Sequence, residues 1–183
     1  MPTTLLRRAC PSVRRVLLAA AVLAGPACAQ PLQPLIDQAI NTTGVLVLAP
    51  GTYEGPVRID ASLIVDGRGA AVVQGDGRGT VIRVMASDVV LRGLTIRGSG
   101  DSHDQIHSGI YVEGARNRIE HNRLDDVLFG IVLQQSNDNR VLGNHVRSRG
   151  EDPADRGDGL RLWYSHSNRI EGNVFEQDRK SVV

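Results

Sequence analysis

Cysteine is nearly missing from this chain of 183 residues: there are two, Cys10 and Cys28. Both lie close to the N-terminus, so the long remainder has no disulfide staple and no thiolate to offer a metal. Aromatic residues make up 3% of the sequence, with Trp163 the single tryptophan, so an aromatic at an outward position asks for a reason. Lysine occurs once, at Lys180, against 20 arginines, and no basic run is present. Nucleic-acid binding is therefore disfavoured, because Lys and Arg contacts to phosphate supply most of that affinity. Beyond the first 29 residues no apolar run is long enough to cross a bilayer, which takes about 20 residues.

The first 29 residues read as a secretion signal. Arg7, Arg8, Arg14 and Arg15 form a positive n-region, and Val16 to Ala24 form an apolar h-region too short to span. Ala27-Cys28-Ala29 fits small-x-small cleavage and places the mature start at Gln30. A lipoprotein reading through Cys28 competes, weakened by Gly25 where an aliphatic residue is wanted and by the Pro26 that follows it. Cleavage removes four arginines, taking the 21 basic residues to 17 against 20 acidic, a formal balance of −3. The expected compartment is the periplasm.

What is present is a phrase in three copies: Asn117-Arg-Ile-Glu-His-Asn122, Asn139-Arg-Val-Leu-Gly-Asn144 and Asn168-Arg-Ile-Glu-Gly-Asn173. Ser108-Gly-Ile-Tyr-Val, Phe129-Gly-Ile-Val-Leu and Asp158-Gly-Leu-Arg-Leu precede them in turn. The spacing is 139 minus 117, or 22, and then 168 minus 139, or 29, the excess lying in the polar loop 148–158. A short unit that tolerates insertion at one point marks a solenoid. Apolar residues alternate within each unit, which is strand periodicity. These features predict an all-β, right-handed, single-stranded parallel β-helix of five or six coils.

Rungs about 4.8 Å apart would stack Ile110, Ile131 and Leu160 in one inward column and Val112, Leu133 and Leu162 in another. Asn122, Asn144 and Asn173 are expected to form a third, bonded to backbone and to each other, in corners where Asn tolerates left-handed φ. Asp88 is aligned with Asn117, and the insertion 98–108 precedes the first full repeat. At the N-terminal end, Leu32 to Ile40 carries one apolar face and predicts a short capping helix. Val45 to Leu48 is expected to follow as a buried strand.

The expected organisation is a signal over 1–29, the solenoid over 30–177 and a non-native tail over 178–183. Asp178-Arg-Lys-Ser-Val-Val183 contains the lone lysine, follows a complete repeat without a cap, and matches one reading frame of a common sequencing adapter. A truncated fragment is the expectation, with an ordinary frayed tail as the alternative.

Candidate chemistry is sparse. A glycosidase needs two carboxylates flanking one bond, and the adjacent pair Asp125-Asp126 sits at a corner, where solvated turn residues are the expected finding. No catalytic residue is assigned. Without cysteine, a transition metal would lean on imidazole. His103 and His107, four apart in the 98–108 insertion, are the candidate ligands, while His121, His145 and His166 fall at different rung offsets. Outward positions of the second phrase are Tyr111/Glu113, Val132/Gln134 and Arg161/Trp163. Tyr111, Asp158, Arg161 and Trp163 are the candidate partner-binding residues. An alternative use for Trp163 is to cover the loop 148–158.

Together the phrases carry a resemblance. Leu48-Ala-Pro-Gly-Thr-Tyr53, the Gly-Ile-x-Val rungs and Arg156-Gly-Asp-Gly-Leu-Arg-Leu-Trp-Tyr-Ser165 followed by Asn168-Arg-Ile resemble the NosD family, from about Leu35 to Phe175. The Arg156 to Ser165 stretch is the more telling match, since Asn-x-Ile-x-x-Asn rungs occur throughout sugar-active β-helices. The resemblance implies a periplasmic accessory protein, not an enzyme, for copper-centre maturation of nitrous-oxide reductase. It further implies an ABC transporter (ATPase and permease), a copper lipoprotein and the reductase as partners, with copper as a possible ligand. A polysaccharide-binding or sugar-active β-helix is the alternative, and a purely structural exported module is a third.

Overall fold

The computed structural model describes residues 29–150, 152 and 155–179. The segment 1–29 expected to be a signal, apart from Ala29, and the last four residues lie outside the described part. Each turn of chain lays one strand on each of three faces, and every strand pairing is parallel.

The chain enters through β1 (Gln30–Pro31) and α1 (Gln33–Ile40). The first rung is β2 (Val45–Val47), β3 (Gly51–Glu54) and β4 (Val57–Ile59). In the second, β5 (Ile64–Gln74) bends across two faces before β6 (Ile82–Val84). The third repeats this with β7 (Val90–Arg97) and β8 (Ser108–Val112). Then come β9 (Arg118–Glu120), β10 (Arg123–Val127) and β11 (Phe129–Gln134), and after them β12 (Arg140–Leu142), β13 (His145–Ser148) and β14 (Leu160–Trp163). A sixth rung continues through β15 (Arg169–Glu171) and β16 (Val174–Glu176).

The alternation seen in the sequence becomes columns. On the face β4-β6-β8-β11-β14, Val57, Ile82, Ile110, Ile131 and Leu160 align, as do Ile59, Val84, Val112, Leu133 and Leu162. Leu46, Val65, Leu91, Ile119, Val141 and Ile170 align on the second face, and Tyr53, Val73, Ile96, Leu124, Val146 and Phe175 on the third. Most of these side chains are fully buried, so each methyl group packs against the rungs above and below. Gly130 is required by this spacing. A Cβ there would clash with the Gly159 carbonyl oxygen and with Val146 Cγ1.

Asparagine ladders fix two corners. Asn144 Oδ1 accepts the Asn122 N–H at 3.0 Å, and Asn144 Nδ2 donates to the Ile119 carbonyl at 2.7 Å and to Asn173 Oδ1 at 2.9 Å. A second ladder runs through Asn117, Asn139 and Asn168, each Oδ1 accepting a backbone N–H from the preceding rung. None of these asparagines adopts positive φ, contrary to the sequence expectation. The left-handed residue is the one before: Arg116, Asp138 and Ser167 in one corner, His121, Gly143 and Gly172 in the other. The asparagines act through side-chain amides that bridge rungs, and their neighbours make the turn. Asp88, with φ of 62°, belongs with Arg116 and not with Asn117. The counterpart of Asn117 is Val89, as the pairing of Val90 with Arg118 requires.

The N-terminal end is capped as the amphipathic pattern implies, with Leu32, Ile36 and Ala39 buried. Leu32 is the residue before the helix. Gln33 extends the cap chemically: its side-chain amide accepts the Arg58 N–H at 2.8 Å and donates to the Arg58 carbonyl at 3.0 Å, closing the free edge of β4. The expected buried strand at Val45 is instead half open. Leu46 and Leu48 turn toward the interior, while Val45 and Val47 are each 44% exposed on the outer surface.

Among the described residues no helix is long and apolar enough to cross a membrane.

A cleft between two insertions as candidate functional site

The two insertions that disturb the repeat leave the solenoid at the same corner. One lies between β7 and β8, the other between β13 and β14, and the intervening rung passes from β10 to β11 through a tight corner at Leu128. The insertions thus flank one short corner and converge on the outward face of β11 and β14.

Their first effect is to bury what alternation placed outside. Val132 does point away from the solenoid core, but it is 0% exposed. It forms a second apolar cluster with Leu128 and Phe129, joined by Ile106 from the first insertion and by Tyr111. The expectation of an open Val132 is corrected for that reason: a strap, not solvent, covers this face. Ile106, the single aliphatic residue in a polar loop, was the available signal.

Their second effect is a cleft of about 510 Å³, within the range of about 300–1,000 Å³ typical of ligand sites. His103 and Asp104 line it from the first insertion, Arg156 and Asp158 from the second, and Phe129, Arg161 and Trp163 from the strands between. Three of the four expected partner-binding residues, Asp158, Arg161 and Trp163, meet here. Tyr111 does not. It lies two rungs earlier in the outward column Arg58, Arg83, Tyr111, Val132, Arg161, with Val132 between it and the cleft.

Tyr111 has its own setting. The Arg83 guanidinium lies 4.5 Å above its ring, and its hydroxyl donates to Glu113 at 2.9 Å. Burial, reinforced by the adjacent Glu113 carboxylate, pushes the phenol up to about 12.

Arg161 is held by rings. Its guanidinium sits 5.6 Å from the Phe129 centroid and 5.5 Å from that of Trp163. Trp163 in turn meets Tyr164 edge to face at 5.5 Å, and these two aromatics are 46% and 70% exposed. Trp163 contributes to the wall facing the second insertion without being buried by it. His103 packs edge-on to the same Phe129, ring centroids 5.7 Å apart.

The two candidate imidazoles are used differently. His107 has both ring nitrogens engaged within its loop, Nδ1 with the Ser102 N–H at 3.2 Å and Nε2 with Gln105 Oε1 at 2.9 Å. His103 lines the cleft, and His107 is not among its lining residues. Among the described residues no group of three or more His, Cys, Asp or Glu side chains is placed to hold a metal ion. Among the described residues His103 and His107 are thus not joined by a third such ligand. Elsewhere, Asp125 pairs with Arg123 and Asp126 with Arg149, so each of the adjacent carboxylates already has a cation.

The cleft phrase from Arg156 to Ser165 is also where the sequence resemblance was strongest, and comparison with known proteins agrees with it. Two relatives are each named "Probable ABC transporter binding protein NosD". The one from Stutzerimonas stutzeri is 27% identical over 135 residues, covering 72% of this chain and 31% of its own. The one from Pseudomonas aeruginosa is 29% identical over 140 residues, covering 72% and 32%. The chain therefore spans about a third of the length of these relatives. The family described as "Right handed beta helix region" matches residues 43–183. Parallel rungs, asparagine corners and this match agree: the chain belongs to the right-handed β-helix family.

Proposed function

We propose that the protein is a periplasmic accessory factor in copper-centre maturation of nitrous-oxide reductase, acting with an ABC transporter, and that it works by docking a protein partner and not by catalysis. The observation that carries this reading is the 27–29% identity to two NosD relatives over 72% of this chain, together with an Arg156 to Ser165 phrase that resembles the family and builds the wall of the cleft. Exposed Trp163 and Tyr164 beside Arg161 have the make-up of an interface anchor, since Trp, Tyr and Arg dominate binding energy at protein interfaces. The relatives' printed name refers to an ABC transporter, and the N-terminal signal supports export. Copper in this reading is cargo moving between partners.

Disrupting the gene in its host tests the proposal. The expected phenotype is loss of nitrous-oxide reduction with the reductase present but copper-poor, and a Trp163→Ala copy that folds normally should fail to restore it. Full reductase activity in the disrupted host, with release of uronic acid from a polysaccharide by the purified protein, would replace this reading with a sugar-active one.

A further inference from the structure

Four arginines on the rungs share a local pattern. Arg58 pairs with Asp60, Arg118 with Glu120, Arg123 with Asp125 and Arg169 with Glu171, each reaching a carboxylate two residues on along the same strand face. At Arg161 the residue two positions on is Trp163. The guanidinium there makes no hydrogen bond or ion pair among the described residues; two aromatic rings hold it instead. Ring contacts fix the plane of a guanidinium and leave its N–H edge unused, and that edge matches a carboxylate in bidentate geometry.

The surroundings favour an anion. Residues 30–183 carry 17 basic against 20 acidic side chains, yet in the cleft Arg156 and Arg161 face Asp104 and Asp158, and Arg179, from the segment 178–183 expected as a tail, adds a third cation. A locally positive cleft on an acidic chain selects for negative charge. The aromatic residues discriminate further. A pyranose would need an open ring face to stack on; Phe129, 4% exposed, offers none, and Arg161 lies over the Trp163 ring. A carboxylate needs only the guanidinium edge.

We propose that Arg161, oriented by Phe129 and Trp163, anchors an aspartate or glutamate on an acidic segment of a protein partner that enters this cleft. The proposal rests on the docking reading above and names the chemistry of what docks.

Trp163 is the sole tryptophan, so its fluorescence reports on the cleft directly. Titrating the purified chain with poly-L-glutamate at low salt should give a saturable change in emission that weakens as salt is raised. Poly-L-glutamine should give none. Arg161→Gln should weaken binding about tenfold or more, with Arg161→Lys in between because an ammonium cannot bind bidentately. Arg58→Gln, on the same outward column but paired with Asp60, should bind like the parent. Equal melting temperatures establish that the variants fold. The proposal is overturned if poly-L-glutamate leaves the emission unchanged, if Arg161→Gln binds like the parent, or if an oligogalacturonate binds more tightly than poly-L-glutamate. Loss of poly-L-glutamate binding in Arg161→Gln, with full reductase activity in a host carrying that variant, would uphold the acidic-segment site and remove the maturation role.

Discussion

Replacing Asn144 with alanine should cost far more than the same change at Asn117, although the two residues open and close equivalent phrases. Asn144 sits inside its ladder. Its Oδ1 is the acceptor for the Asn122 N–H, and its Nδ2 is the donor to the Ile119 carbonyl. Both backbone groups are buried with their residues, and truncation leaves each without that partner. At about 1–3 kcal/mol per buried group left unsatisfied, the loss is roughly 2–6 kcal/mol. Asn117 begins its ladder, where the residue in the preceding rung is Val89. Its Oδ1 still accepts the Val89 N–H at 2.8 Å, but its Nδ2 is buried without a partner. Alanine at 117 strands one N–H while removing one orphan, so the net loss should be about 0–2 kcal/mol. Chemical denaturation of both variants measures the difference, and amide exchange locates it: the Asn122 N–H should lose protection in Asn144→Ala. If Asn117→Ala proves equally or more destabilising, the ladders are not what holds the corners.

Other outcomes follow from the same packing. Ile131→Ala should cost about 2–5 kcal/mol, and Val132→Ala, buried under the first insertion, about 1–3 kcal/mol; denaturant midpoints should keep that order, and a Val132 variant as stable as the parent would mean the strap does not pack. Gly130→Ala places a Cβ against the Gly159 carbonyl, which belongs to the neighbouring rung and cannot swing away, so a loss of about 3 kcal/mol or more is expected by thermal melting. Tyr111, raised to about 12 from 10.0, holds its neutral form more firmly when folded. Its contribution is therefore complete below pH 10 and is lost as pH climbs from 10 toward 12. Tyrosinate absorbance of Tyr111→Phe should lack the latest-titrating step, and an unchanged titration curve would show that the hydroxyl is not buried against Glu113.

The regular part of the molecule was legible because it obeys one short rule many times. Strict alternation placed Ile110, Ile131 and Leu160 in register before any geometry was known, and parallel stacking carried the column back to Val57. The asparagine corners were legible as positions but not as conformations. Asn is a common left-handed residue, which made that role plausible, yet here a side-chain amide joining successive rungs satisfies more buried groups than a turn alone could. The left-handed position then falls to the preceding residue, whatever its type, including Arg116 and His121. Alignment by phrase similarity shifted Asp88 by one position for the same reason. The carboxylate was matched to an amide, whereas its real counterpart is Arg116, with which it also forms an ion pair at 2.7 Å.

The cleft was harder to see because nothing in a repeat specifies where its interruptions meet. Both insertions were visible as excess length, but length alone does not say that they leave from the same corner. That follows from counting strands: each insertion separates a strand of the third face from one of the first, and a rung with a tight turn lies between them. Placed so, they can reach only the outward face near β11 and β14. There the apolar outward residues Phe129 and Val132 become a floor, and Arg161 loses the carboxylate that several other rung arginines have. A side chain in an invariant rung is constrained by its neighbours above and below, whereas a residue facing an insertion is constrained only by what the insertion brings. Arg161 and Trp163 stand at that boundary: the strand fixes their position, the loops leave one side open, and the arginine's hydrogen-bonding edge is what the proposed acidic segment would meet.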